Sequence, residues 1–402
     1  MVNGNSDKLK QIDLFAGAGG LSFGFGQVGF HTIYATDIDK DSCKSFQLNH
    51  PDALVECADI LEVDPVLLRN KLNIEIGQLD VLVGGPPCQG FSTYGKRDPN
   101  DARNQLYKNY LSFLKAFYPK SFIIENVVGI LSMNDGDIIG DILKSTKELG
   151  YNVELQTLDV SNYGIPQVRK RVFIIGNRIN KKISFPEPTH GGASSDLFIQ
   201  SKRTLTVKDA ISDLPEFVFA PSEMDQEIEY ASQPQNEYQM YMRKDVLRAP
   251  THSAKRMMSI RRLRLTLMKP GDYGNELRAR IENEGLSKEF IDQFFTNAKE
   301  DAFEGCRTQD KEREVELRNI LSQGHHKLDE ILSFIDSGGF ANKYRRLHWE
   351  EPSHTLVAHM ARDCSDFVHP EYDRFISVRE AARLQSFPDW YKLYGSQFSQ
   401  LK

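Results

Sequence analysis

Long apolar runs are missing from this chain. No stretch approaches the ~20 residues that cross a bilayer, which excludes a membrane-spanning helix, and the polar start MVNGNSDKLK lacks the hydrophobic segment of a secretory leader. A cytoplasmic protein is expected. Paired cysteines are missing too: the five present, at positions 43, 57, 88, 306 and 364, are odd in number and form no C-x-x-C spacing. This argues against a disulfide framework and against a zinc knuckle, so reduced thiols and no metal are expected. A basic excess is also absent. The net charge of −6 gives no global sign of a nucleic-acid partner, so any such function needs a local patch. One exists between Arg243 and Arg264, where Lys244, Arg248, Lys255, Arg256, Arg261 and Arg262 face only Asp245, whereas the stretch onward to about residue 330 is rich in Glu and Asp. A solvated helix face explains such a run equally well until a fold context is added.

What is present is a rhythm. QIDLF, TIYATD, DVLVGG and SFIIENV are short apolar or β-branched runs that alternate with the amphipathic stretches FGFGQVGF, KDSCKSFQLNH, about 104–117 and about 137–149. That is the βαβ pattern of a doubly wound, mostly parallel sheet, and with 40% hydrophobic residues a packed core is expected. NVELQTLDV and RVFIIGNR add two strand candidates. Beyond Arg178 the rhythm fades, and SFPEPTHGGASS reads as a linker. Order returns after GGFANKYRRL with HTLVAH and the helical SVREAARLQSF. The expected division is 1–185, 186–340 and a return segment 341–402.

Several motifs fall at the carboxyl ends of these strands, where open α/β sheets bind ligands. In DLFAGAGGLSFGF, Gly17, Gly19 and Gly20 allow a sharp turn and close approach of a ligand to the backbone. Alone, a packing-only turn is as good a reading. Asp37 follows about twenty residues later, placed to accept hydrogen bonds from ribose hydroxyls, and Asp59-Ile60 offers a carboxylate and an apolar wall for an adenine. After Val81-Leu82-Val83 comes GGPPCQGFS, in which Pro86 and Pro87 stiffen the loop that carries Cys88. A free cysteine is usually inert core, but this flanking sequence suits a loop tip, which makes Cys88 a nucleophile candidate. Glu125-Asn126 end the next apolar run, with Glu125 either a helix cap or a general acid. In QVRKRVFIIG a strand period puts Gln167, Arg169 and Arg171 on one face, suited to fork a carboxylate or to anchor an anionic or carbonyl-bearing substrate.

DLFAGAGG, the acidic residue of ATDIDK, GGPPCQGFS, ENV and QVRKR, together with HPEYDRFISVREAARLQSFPDWY, resemble the DNA (cytosine-5)-methyltransferases over residues 12–178 and about 340–395. The resemblance implies an S-adenosylmethionine-dependent, Rossmann-like catalytic domain with a smaller target-recognition domain, and double-stranded DNA as partner. Cys88 would attack C6 of a flipped cytosine, with Glu125, Arg169 and Arg171 binding the ring. Cofactor contacts would fall to Phe15, Ala16, Gly17, Gly19, Gly20, Asp37, Ile38, Asp59, Ile60, Pro87 and Leu106. DNA contacts would come from Ser92, Lys96 and Arg97 on a closing loop at 91–106, and from Lys255, Arg256, Arg261 and Arg262. The sequence stops at GSQFSQLK, and the G-N-A-V-P-P segment and the helix that the family would place next are missing from it. A partner chain that supplies them, a truncated gene, or a weakened cofactor affinity would each account for this. Two other readings stand beside the leading one: a tRNA cytosine-5 methyltransferase, and a non-catalytic or partner-dependent DNA-binding subunit.

Overall fold

A computed structural model describes residues 8–87, 106–191, 201–218, 226–254, 265, 267–272, 276, 279, 283, 345–357, 367–396 and 400. The chain forms two compact units, Met1–Thr204 with Tyr391–Gly395, and Leu205–Trp390 with Ser396–Lys402. Within the first unit, His190 bridges to Lys202.

The first unit is built on seven strands: β1 (Leu9–Leu14), β2 (Phe30–Asp37), β3 (Leu54–Cys57), β4 (Val81–Gly84), β5 (Ser121–Val127), β6 (Asn152–Asp159) and β7 (Lys170–Asn177). Their order is β3-β2-β1-β4-β5-β7-β6. β1 to β5 run parallel, and β7 runs antiparallel to both β5 and β6. Helices α1 (Gly20–Gln27), α2 (Lys40–Asn49), α3 (Pro65–Lys71), α4 (Leu106–Phe117) and α5 (Asp137–Glu148) fall between the strands. A strand covered on both faces should read as continuously apolar, and all four residues of β4 are buried. In α4, helical spacing places Tyr107, Tyr110, Phe113, Leu114 and Phe117 on one face, and all of them join the core with Ile12, Leu14, Leu82, Phe122 and Ile124. Burying each large aromatic or aliphatic side chain there contributes roughly 1.5–3 kcal/mol.

The strand order reverses between β1 and β4, and Leu14 lies opposite Gly84 in register. The turn after β1 and the loop after β4 therefore leave the sheet side by side, at the crevice where doubly wound sheets take ligands. Gly84 is dictated by crowding, since a Cβ there would lie 2.6 Å from the Leu14 carbonyl oxygen and 3.1 Å from the Tyr110 ring.

In the second unit, described elements are α6 (Val207–Ile211), the pair β8 (Glu227–Glu229) and β9 (Arg248–Pro250), α7 (Glu237–Arg243) and α8 (Val378–Leu384). α8 opens on a capping box in which the Ser377 side chain accepts from the Glu380 N–H and Glu380 accepts from the Ser377 N–H. Every residue of α8 is buried, its two arginines and its glutamate included.

Candidate active site

The glycine turn comes first. Phe15, Gly17 and Gly19 have φ of 60°, 55° and 100°, three left-handed residues within five. The Gly17 N–H donates to Asp37 Oδ2 at 2.8 Å, and the Ala16 N–H donates to the Thr36 carbonyl at 3.0 Å. Asp37 Oδ1 accepts from the Asp39 N–H at 2.9 Å. A carboxylate has capacity for about four donors, so two backbone bonds leave Asp37 able to accept from hydroxyls. A Cβ at Gly17 would meet nothing within 4 Å, so the turn faces open space there, and α1 has Gly19 as its N-cap, with no side-chain hydrogen bond to its first N–H groups. Beside Asp37, Ile38 is 71% exposed, an apolar platform at a polar edge. Exposed apolar surface, an acceptor and an open backbone cradle fit an adenosyl group that carries a carboxylate tail. Phe15 packs against the core, partly buried, as does Leu106.

Asp59 and Ile60 differ from the strand-end expectation. β3 stops at Cys57, and Asp59 caps a single 3-10 turn by accepting from the Leu61 N–H at 3.0 Å. Ile60 is buried in the core, and it is the neighbouring Leu61 that is exposed.

The second half of the site is the loop after β4. Asn126, buried at the end of β5, donates to the Pro86 carbonyl at 2.8 Å and accepts from the Val127 N–H at 2.9 Å. Glu125 points at the same loop, its Oε2 lying 3.1 Å from where a Gly85 Cβ would be. Glu125 Oε1 pairs with Arg171 Nε at 2.9 Å. Register explains the pairing: Glu125 stands opposite Phe173 and Val127 opposite Arg171, so the charged pair is diagonal on one face of the β5–β7 ladder.

The expected single strand through Gln167, Arg169 and Arg171 is corrected by the structure. β7 begins at Lys170, and Arg169 is held outside it, its N–H donating to Asp159 Oδ1 at 3.2 Å and its carbonyl accepting from the Val160 N–H. Gln167 is buried. Arg169 nonetheless feels both Arg171 and Glu125: burial lowers its pKa to about 10, Arg171 pushes the same way, and Glu125 opposes them. Glu125, Arg169 and Arg171 thus act on one another, with Glu125 beside Gly85.

The remaining candidates, Cys88, Ser92, Lys96, Arg97, Lys255, Arg256, Arg261 and Arg262, lie outside the described residues. Within the basic stretch, Arg243 is committed inside its own unit. It donates to the Ser232 carbonyl at 2.8 Å, pairs with Asp213 at 3.4 Å and stacks 3.6 Å over the Tyr230 ring. Sequence reasoning missed the work of Asn126, although its place next to Glu125 at a strand end was visible, and it missed the placement of Tyr391. Tyr391 donates its hydroxyl to the Ala18 carbonyl from a distant part of the chain, for which no local pattern exists.

Comparison with known proteins shows the family. The sequence model of the C-5 cytosine-specific DNA methylases matches residues 9–402. The chain is 50% identical over 407 residues to the type II methyltransferase M.AgeI of Thalassovita gelatinovora, covering 98% of this chain and 95% of that protein. It is 31% identical to the type II methyltransferase M.DdeI of Desulfomicrobium norvegicum, covering 96% and 80%. A solved structure described as a DNA modification methyltransferase encoded within an E. coli prophage shares the fold, with a TM-score of 0.67, 22% identity and coverage of 98% and 92%. With a family match over nearly its whole length and a half-identical relative, the chain belongs to the C-5 cytosine-specific DNA methylases and is a DNA (cytosine-5-)-methyltransferase of the restriction–modification type.

Proposed function

We propose that the enzyme methylates C5 of a cytosine flipped out of a specific duplex DNA sequence, through a transient bond between Cys88 Sγ and C6 of the base. The observation that carries this reading is the Glu125 carboxylate, clamped by Arg171 at 2.9 Å and aimed at Gly85, three residues ahead of Cys88 on a loop stiffened by two prolines. The role of Cys88 itself rests on its place in the sequence and on family membership.

C5 of cytosine is too electron-poor to attack a sulfonium methyl unaided. Addition of the Cys88 thiolate to C6 pushes the ring electrons toward N3 and O2 and makes C5 nucleophilic. In this reading Glu125 protonates N3 and accepts from the exocyclic amine, with its orientation fixed by the Arg171 bond. Arg169 and Arg171 supply positive charge for O2. S-adenosylmethionine, when bound, supplies the electrophilic methyl group. Loss of the C5 proton to a base then returns the electron pair to the ring and expels the thiolate. A base inside a duplex cannot be approached from above and below its plane, so extrusion is required, at a cost of a few kcal/mol of lost stacking.

For the cofactor, Ala16, Gly17, Gly19 and Gly20 form the cradle, Asp37 binds the ribose, Phe15 packs against the adenine with Ile38 beside it, and Asp59 with Ile60 flanks the adenine. Pro87 and Leu106 close the methyl-bearing end. Ser92, Lys96, Arg97, Lys255, Arg256, Arg261 and Arg262 serve the DNA backbone. The second unit reads the target sequence.

The test is a trap. Duplex DNA bearing 5-fluorocytosine at the target site cannot lose fluorine as a cation, so methyl transfer halts at the covalent stage. Wild-type enzyme with S-adenosylmethionine should give an adduct that survives denaturation and maps to Cys88, and Cys88→Ser should give none. An adduct at another residue, or full methylation by Cys88→Ser, refutes the reading.

A further inference from the structure

The glycine turn holds three left-handed residues in five, one of them Phe15, whose Cβ disfavours that conformation. Such a turn keeps its shape only where its surroundings over-determine it. One brace is already described, the Asp37 carboxylate on the Gly17 N–H. The other is Tyr391, fully buried on the inner side of the turn. Its hydroxyl donates to the Ala18 carbonyl, and its ring stands edge-on to Phe23 at 5.2 Å. A Cβ on Gly19 would lie 2.7 Å from the Tyr391 oxygen and 2.9 Å from the Phe46 ring. Glycine at 19 and tyrosine at 391 are therefore complementary halves of one contact.

The segment around Tyr391 is tied down independently. Asn49 Nδ2 donates to the Lys392 carbonyl at 2.8 Å and the Lys392 N–H donates back to Asn49 Oδ1 at 2.9 Å. The Tyr394 N–H donates to Ser45 Oγ at 2.9 Å, and Gly395 lies against the Asp41 carboxylate. Three residues, Lys392, Tyr394 and Gly395, are thus anchored along α2, and Tyr391, just ahead of them, delivers its hydroxyl to the turn.

We infer that Tyr391 is a positioning residue for cofactor binding: through the Ala18 carbonyl and the Gly19 contact it fixes the conformation of residues 16–19, and so sets the affinity for S-adenosylmethionine. This rests on the reading that the turn holds the cofactor. Being buried behind the turn, Tyr391 acts only through it.

Tyr391→Phe removes the hydroxyl and keeps the ring. Calorimetric titration with S-adenosylmethionine should show Kd about 5-fold weaker, the effect of one lost hydrogen bond. KM for the cofactor should rise in parallel, while kcat at saturating cofactor and KM for DNA change far less. An unchanged Kd, with or without a lowered melting temperature, would mean a merely structural tyrosine and overturn the inference. Asp37→Ala separates the two layers: if it weakens binding and Tyr391→Phe does not, only the role of Tyr391 falls. If neither does, the cofactor-site reading falls with it. Amide hydrogen exchange on the wild-type enzyme decides the matter even if the variant misfolds. Saturating S-adenosylmethionine should slow exchange in 16–20 and also in 391–395, and protection confined to 16–20 refutes the coupling.

Discussion

Two clusters of opposite charges, one in each unit, use the same residue types in different ways. In the second unit, Arg383 forks Asp389 with bonds of 2.9 and 2.7 Å, donates to Asp213 and to the Ala210 carbonyl, and all three charged side chains are buried. Arg374 forks the equally buried Glu380 at 2.8 Å twice. In the first unit, Glu125 and Arg171 are joined by one ion pair, both remain partly exposed, and one carboxylate oxygen is aimed at the Gly85 loop. A buried network with its bonding capacity spent can fix structure and do little else. A half-exposed pair with capacity left over can meet a substrate.

Glu125→Gln tests the exposed side of this contrast. It keeps the shape and removes the proton donor and the charge, and kcat should fall by about 10²–10⁴. Its melting temperature should hardly move, because the pair is partly solvated and such pairs contribute about 0–1 kcal/mol. Asp213→Asn should do the reverse. It leaves a buried Arg383 guanidinium short of a charged partner, a loss of about 3–5 kcal/mol in stability. Any activity that survives at low temperature should retain the wild-type KM for cofactor. Chemical denaturation and steady-state kinetics on both variants check the pair of outcomes, and a stable, active Asp213→Asn would break the distinction.

The division between the two clusters also tracks what the sequence made legible. Apolar runs and helical spacing marked β1, β2, β4 to β7, α1, α2, α4 and α5, and the antiparallel β7 followed as a strand though not as to direction; β3, which has no buried residue, and the short α3 gave no such run. The ends were less legible. Asp59 proved a cap of a 3-10 turn and Arg169 fell outside β7, since local side-chain bonds to Leu61 and from Asp159 decide those boundaries. Nothing in the helical SVREAARLQSF marks Arg379 and Arg383 as buried. Their burial depends on carbonyls of Pro250 and Ala210 more than a hundred residues away, which no window of sequence contains. Tyr391 was hidden for the same reason.

Acidity separates the units by sign. Burial works to raise the pKa of Glu380, but the Arg374 fork overcomes it and holds the carboxyl well below the usual range, so the stability it contributes is present above the unfolded pKa and is lost only on strong acidification. Asp13 behaves oppositely. It is buried beneath the glycine turn, accepts from Ser22 Oγ at 2.6 Å, and leaves Oδ1 without a donor next to a Gln11 whose Oε1 also lacks one. Burial raises its pKa to about 7, against the Ser22 hydrogen bonds and with help from the charge of Asp37. The folded state then holds a proton that the unfolded state releases near pH 4, so the contribution of Asp13 is full below pH 4 and declines by roughly 1.4 kcal/mol per pH unit until about pH 7. Asp13→Asn carries no titrating group. The stability of this variant relative to wild type should therefore rise by about 2–3 kcal/mol between pH 5 and 7 and level off above that. Denaturant melts at three pH values, read through amide exchange in β1 so that the first unit alone is reported, would show it. A difference independent of pH would mean that Asp13 is ionised throughout, and the contrast with Glu380 would reduce to geometry alone.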